Sequence, residues 1–181
     1  MPDYINVYFL TRVEYLGFDI SVNGIQPSPE KFCTVVEWPQ PQGVKDVRSF
    51  LRLASFYRRF MRDFSYKARF LTDLTKDGIL WHWDDPKENA FRELKKSLVT
   101  APVLQMPDFE RPLVVTMDAS LVFVGAILEQ NFGQGLQPVV FESRKLNPAE
   151  TRYSAYERRV IWNSLGTWTM ATLLRRSQIH C

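Results

Sequence analysis

Leu113-Val114-Val115-Thr116-Met117-Asp118 is the stretch on which the fold turns. Its alternation places Val114, Thr116 and Asp118 on one face of an extended strand, with the carboxylate at the strand's carboxyl end. Phe123 to Gln130 and Pro138 to Ser143 read as two further strands, rich in β-branched and aromatic residues. The connection between these two, Asn131-Phe132-Gly133-Gln134-Gly135, is built of turn residues. After Asn147-Pro148 the apolar spacing changes to that of a long helix reaching about Leu174, and Ser177 to Cys181 reads as the opening of another strand. Three strands, one long helix and the start of a fourth strand predict a truncated α/β unit over residues 101–181.

Upstream the character differs. Residues from about 4 to 20 alternate and carry Tyr, Val, Ile and Phe, then reach Asn23-Gly24, a dipeptide suited to a hairpin turn; two short strands are expected. Ser28-Pro29-Glu30 opens a helix with a capping hydroxyl and a first-turn proline, and Trp38-Pro39 closes it. Pro39, Pro41 and Gly43 form a connector. Val44 to about Phe64 predicts a basic amphipathic helix, followed by a shorter one near Ala68 to Lys76. Asp85-Pro86-Lys87-Glu88 has the form of a capping box, and Ala90, Phe91, Leu94 and Leu98 form one stripe before Ala101-Pro102. The whole is therefore expected to be α+β, with a hairpin and helical segment over 1–100 and the α/β unit over 101–181.

Composition narrows the function classes. With 45% hydrophobic and 24% charged residues in 181, the chain has enough apolar residues for a core and no unbroken run of them for a membrane span. Asp3, Asn6 and Arg12 interrupt the start where a secretory signal would be apolar, so an intracellular protein is expected. Cys33 and Cys181 stand far apart, and neither makes a CxxC pair, so no disulfide framework or zinc site is signalled. Net charge is only +3, yet Lys45 to Arg69 holds eight basic residues against Asp46 and Asp63. With Phe50, Phe56, Tyr57, Phe60 and Phe64 between them, these charges suit a surface that tracks a phosphate backbone. The same spacing equally suits a packed helix whose arginines face solvent.

Two carboxylates are the candidates for chemistry. Asp118 before Ala119-Ser120 is either a turn residue or a site residue. Glu157 shares a helical stripe with Tyr153, Val160, Ile161, Ser164 and Trp168, so it needs a cationic partner, whether a metal ion or Arg144, Lys145 or Arg152. A strand-end Asp with an inward helical Glu is the beginning of a two-metal phosphodiester-cleaving site, which ordinarily takes more than two acids. From Arg158 to Cys181 there is no Asp or Glu. No Ser-His-Asp or Cys-His arrangement and no phosphate-cradling Gly-rich loop is present.

Taken together, VEYLGFDISVNGIQPSPEKFCTVVEWPQPQGVKDVRSFL, SFYRRFMRDFSYKARFLTDLTKDGILWHW, FRELKKSLVTAPVLQMPDFERPLVVTMDAS, GAILEQ and PVVFESRKLNPAETRYSAYERR resemble the reverse transcriptase and RNase H region of gypsy-type long-terminal-repeat retrotransposons, in that family's order and spacing. The resemblance implies a primer-grip hairpin, thumb and connecting helices over 1–100, and the first part of an RNase H-like domain over 101–181. It implies that Asp118 and Glu157 hold Mg²⁺ or Mn²⁺ and act in cleaving RNA within an RNA:DNA hybrid. It also implies that Leu16, Gly17 and Phe18 press on the primer terminus, and that Arg58, Arg59, Lys45, Arg48 and Arg62 lie near the primer-template. On this resemblance the polymerase's own aspartates are expected upstream of VEYLGF and a third nuclease acid in a TDH motif after SQIHC. Arg52 stands where the family usually has Gly, and Asn163 to Arg176 departs from the family's helix tail. A non-catalytic remnant of a larger Pol polyprotein, keeping part of the fold and some nucleic-acid affinity, is the alternative expectation.

Overall fold

The computed structural model describes residues 11–152. The first residues of the expected hairpin, the expected long helix from residue 153 onward with Glu157, and the expected Ser177 to Cys181 strand lie outside the described residues; the opening of that helix is a 3₁₀ turn (Glu150–Arg152). Three strands open the described chain: β1 (Arg12–Tyr15), β2 (Phe18–Ser21) and β3 (Gly24–Pro27), paired antiparallel in that order. The sequence suggested two strands; the additional turn is Leu16-Gly17, with φ of 49° and 79°. Both angles are positive, as the mirror-image turn of a two-residue hairpin requires. Asp19 ties all three strands together, accepting from Arg12 Nε at 2.6 Å and Gln26 Nε2 at 2.8 Å. Those two bonds hold its carboxyl below the usual carboxylate range.

Helix α1 (Pro29–Val36) begins at its proline, but the buried Ser28 hydroxyl makes no capping bond and meets no hydrogen-bond partner among the described residues. Ser28 serves the turn instead, its N–H donating to the Gly17 carbonyl at 2.9 Å. Helix α2 (Val44–Phe56) ends well short of the expected limit near Phe64. A 3₁₀ turn (Arg58–Phe60) and a left-handed Asp63 at φ 56° replace its second half; the short helix α3 (Phe64–Lys67) follows, and α4 (Arg69–Leu74) is the shorter helix expected near Ala68 to Lys76. Helix α5 (Asp85–Val99) is capped by Asp84, not Asp85, through an acceptor bond from Lys87 N–H. Glu88 does not close a capping box; it accepts from the Trp83 indole at 3.0 Å and pairs with Arg92 at 2.6 Å.

The second sheet is an antiparallel meander of β4 (Leu113–Ala119), β5 (Phe123–Asn131) and β6 (Leu136–Lys145). Its register aligns Asp118 with Gly125, and Gly125 with Ser143. One set of its side chains, Leu128, Val139 and Val140 with Leu113, Val115 and Ala126, makes a local cluster. Phe141 and Ile127 turn the other way and join the principal core of Val35, Phe50, Tyr57, Phe91, Leu94 and Leu104. That core crosses residue 100, and the backbone of Leu104 exchanges two hydrogen bonds with Ile25 of β3. The stripe Ala90, Phe91, Leu94, Leu98 is fully buried, as its spacing predicts. Among the described residues no helix is long and apolar enough to cross a membrane.

Candidate nucleic-acid interface and carboxylate cleft

Asp118 is exposed near the end of β4, on the face opposite Leu113, Val115 and Met117. It lines a cleft of about 230 Å³ with Asp63, Tyr66, Ser120, Gly125 and Ser143. Helical segment and sheet thus build this cleft jointly. Two hydrogen bonds clamp them beside it, from Ser65 N–H to the Ser143 hydroxyl and from the Ser65 hydroxyl to the Ser143 carbonyl, both 2.9 Å. Asp63 reaches it because its left-handed backbone aims the side chain away from α3, which it does not cap, and over Gly125. A Cβ on residue 125 would collide with the Asp63 carboxylate, so the glycine makes the room that brings this second acid to the first.

Asp118 comes together with Asp63, a residue that sequence reasoning passed over, while Glu157 lies outside the described residues. No periodicity marks Asp63, since its placement depends on a single positive φ inside an otherwise helical run. Among the described residues no group of three or more His, Cys, Asp or Glu is close enough to hold a metal ion. The donors that are present, two carboxylates and the Ser120 and Ser143 hydroxyls, are all hard oxygens, the kind that suits Mg²⁺ or Mn²⁺.

The expected nucleic-acid residues fall into three groups. Leu16 projects from the hairpin tip at 67% exposure, while Gly17 and Phe18 anchor that tip. The Gly17 carbonyl accepts from Ser28 N–H and from the buried Tyr57 hydroxyl at 3.2 Å. Phe18 stacks on Phe56 and Phe60 with centroids 5.1 and 5.7 Å apart. Lys45 and Arg48 lie exposed on α2, one turn apart, with Arg52 a further turn along; Arg48 also donates to the Thr75 carbonyl at 2.9 Å. Arg58, Arg59 and Arg62 leave the helix. The Arg58 guanidinium pairs with Glu142 of β6, and burial lowers its pKa from the ordinary value with the Arg59 charge assisting. Arg59 is exposed, and Arg62 lies 3.6 Å from the Asp63 carboxylate at the lip of the cleft. Arg58 thereby ties the 3₁₀ turn to the sheet, with part of its side chain still exposed.

Comparison with known proteins agrees with this architecture. Residues 83–179 match the model of the RNase H-like domain found in reverse transcriptase. The chain is 38% identical over 166 residues to the retrovirus-related Pol polyprotein from transposon gypsy of Drosophila melanogaster, covering 85% of this chain and 16% of the relative. It is 32% identical over 161 residues to the transposon Tf2-3 polyprotein of Schizosaccharomyces pombe, covering 87% and 12%. The chain thus spans less than a fifth of the length of these relatives. Among solved structures it is similar to the foamy viral protease-reverse transcriptase dRH in complex with ds DNA, with a TM-score of 0.77 and 25% identity over 90% of this chain and 29% of that one. The foamy viral protease-reverse transcriptase in complex with RNA/DNA hybrid gives 0.75 and 25%, over 91% and 22%. A helical segment clamped to a three-stranded meander, with these relatives across most of its length, belongs to the family of RNase H-like domains found in reverse transcriptase.

Proposed function

We propose that this chain grips a primer-template or RNA:DNA hybrid and presents its RNA strand to a ribonuclease centre built on Asp118 and Glu157. The observation that carries the reading is Asp118 itself, an exposed strand-end carboxylate in a cleft that the helical segment helps to wall. In this reading residues 1–100 are the end of a reverse transcriptase and 101–181 the first part of its RNase H-like domain. Leu16 bears on the primer end, and Lys45, Arg48, Arg59 and Arg62 face the phosphates. Asp118 and Glu157 would hold Mg²⁺ or Mn²⁺, which supplies an activated water and charge stabilisation at the leaving oxygen. The chain's own contribution is to hold the hybrid in register and to keep an oxygen-rich, open cleft beside the scissile strand. Two likenesses support the substrate class, since the solved relatives are described in complex with ds DNA and with RNA/DNA hybrid.

A second reading, a non-catalytic remnant that only binds nucleic acid, is favoured by the run from Arg158 to Cys181 without an acid. One experiment separates the two. A hybrid with labelled RNA, incubated with the chain in Mg²⁺ or Mn²⁺, is cleaved on the first reading, and Asp118→Asn stops cleavage while leaving hybrid affinity within about twofold. Binding without cleavage by the parent chain returns the remnant. Affinity is also expected to fall steeply with salt, and replacing Lys45 and Arg48 by Gln reduces the log-log slope by about 2, one unit for each phosphate no longer neutralised.

A further inference from the structure

A second cleft adjoins the carboxylate cleft and shares Tyr66, Ser120 and Phe123 with it. Arg69, Lys145, Leu121 and Val122 complete its walls, so α3 and α4 supply one side and the β4–β5 turn with the end of β6 the other. Its charges and rings are arranged together. The Arg69 guanidinium lies 3.7 Å over the Tyr66 ring, Tyr66 meets Phe123 edge-on at 5.7 Å, and the Lys145 ammonium sits 5.9 Å from the Phe123 ring centroid. Asp73 also lines the groove, but Lys76 meets its carboxylate at 2.5 Å. The groove therefore pairs two cations with a largely apolar floor, directly beside the acids.

We propose that this groove holds an unpaired nucleic-acid strand leading to or from the Asp118 cleft, with phosphates on Arg69 and Lys145 and bases against Tyr66, Phe123 and the Leu121-Val122 lip. The inference rests on the hybrid-binding reading above and adds to it a path for single strand. Cations alone would serve a duplex backbone equally well. What selects a single strand is the exposed ring and aliphatic surface, with Tyr66 48% and Leu121 70% exposed. Stacked pairs hide their base faces, so only unpaired bases can cover that surface. The position matters too. A strand held across Tyr66 and Phe123 enters the cleft of Asp63 and Asp118 with no further turn, because those two rings form part of both walls.

The test uses the whole chain and two probes, a blunt RNA:DNA hybrid and the same hybrid with an unpaired extension, with affinity read by fluorescence anisotropy. The extension is expected to tighten binding about tenfold, the worth of one or two stacked bases. Lys145→Gln and Leu121→Ser should each remove most of that gain while leaving the blunt hybrid unchanged. Both side chains are exposed, so neither variant disturbs the packing of the chain. Equal affinity for the two probes, or an equal loss on both in the variants, overturns the proposal. Failure of the parent chain to bind the blunt hybrid overturns the hybrid reading instead, and the gain from the extension is still measured on the extended probe.

Discussion

Leu16 holds a backbone conformation with φ of 49°, at a solvent-facing tip where Gly or Asn would sit with less strain. A bulky side chain kept there against local preference points to a task for the side chain. Leu16→Gly is expected to leave stability unchanged or to raise it by up to about 1 kcal/mol, while weakening primer-template binding several-fold. Urea denaturation and anisotropy measured on one preparation check this, and a parallel fall in both would make Leu16 structural. Gly125 makes the converse case. One methyl there meets only the outer oxygen of a partly exposed Asp63 side chain, which can swing aside, so Gly125→Ala should change stability by no more than about 0.5 kcal/mol. Asp63→Gly relieves a left-handed non-glycine residue and should raise stability by up to about 1 kcal/mol, with Gly or Ala at 125 alike. A loss of about 1 kcal/mol or more in Gly125→Ala that Asp63→Gly restores would mean instead that the carboxylate cannot move aside.

Whole elements were legible where pattern and punctuation agree. β4, β5 and β6 fall within about two residues of their expected limits, and α5 keeps its buried stripe, because turn residues or a proline bound each run. The break after Phe56 was not legible. Val47, Phe50, Ala54, Tyr57, Met61, Phe64 and Ala68 keep helical spacing straight through it and are all buried. No Pro or Gly lies between Val44 and Asp77 to mark it. The chain bends there because Arg58 and Ser65 bond to Glu142 and Ser143, partners that are remote in sequence. The cap of α5 moved by one residue because Asp84 and Asp85 carry the same chemistry, and only backbone geometry chooses between them. At the far end of β6 a comparable lock is titratable. Arg144 donates both terminal nitrogens to Glu150 at 2.7 Å, and Asn147 N–H adds a bond at 2.9 Å. The Arg144 bonds chiefly, with the Asn147 amide assisting against partial burial, lower the Glu150 carboxyl to about 2. A carboxyl depressed in the folded state contributes stability above its ordinary pKa near 4.5, and that contribution fades as pH falls toward 2. Melting temperatures of the parent chain and Glu150→Gln should therefore differ most at neutral pH, by on the order of 1–3 kcal/mol in stability, and converge between pH 4.5 and 2. A gap that stays constant across that range would mean that the lock contributes nothing through its charge.

At the scale of the molecule, Phe141 matters most, since it carries the sheet into the core that the helices build. Phe141, Leu104 and the partly buried Ile127 belong to the same cluster as Val35, Phe50, Phe91 and Leu94. The Arg58–Glu142 pair and the Ser65–Ser143 bonds close the same seam from the polar side. The sequence leads one to expect a division at residue 100, yet the apolar surface on one side of that position is covered by the other. Cutting there would expose Phe141, Ile127 and Leu104, and it would leave β3 without the Leu104 backbone bonds. The intact chain is accordingly expected to unfold in one transition, and residues 101–181 alone to melt broadly and at lower temperature. Phe141→Ala in the intact chain should cost about 3–4 kcal/mol and lower the near-ultraviolet signal of the helical aromatics along with that of the sheet. If instead the excised piece melts as sharply and as high as the whole chain, the seam is a docking of two independent units. The composite clefts would then be free to open, and the unpaired-strand groove would lose the rigid wall that α3 and α4 provide.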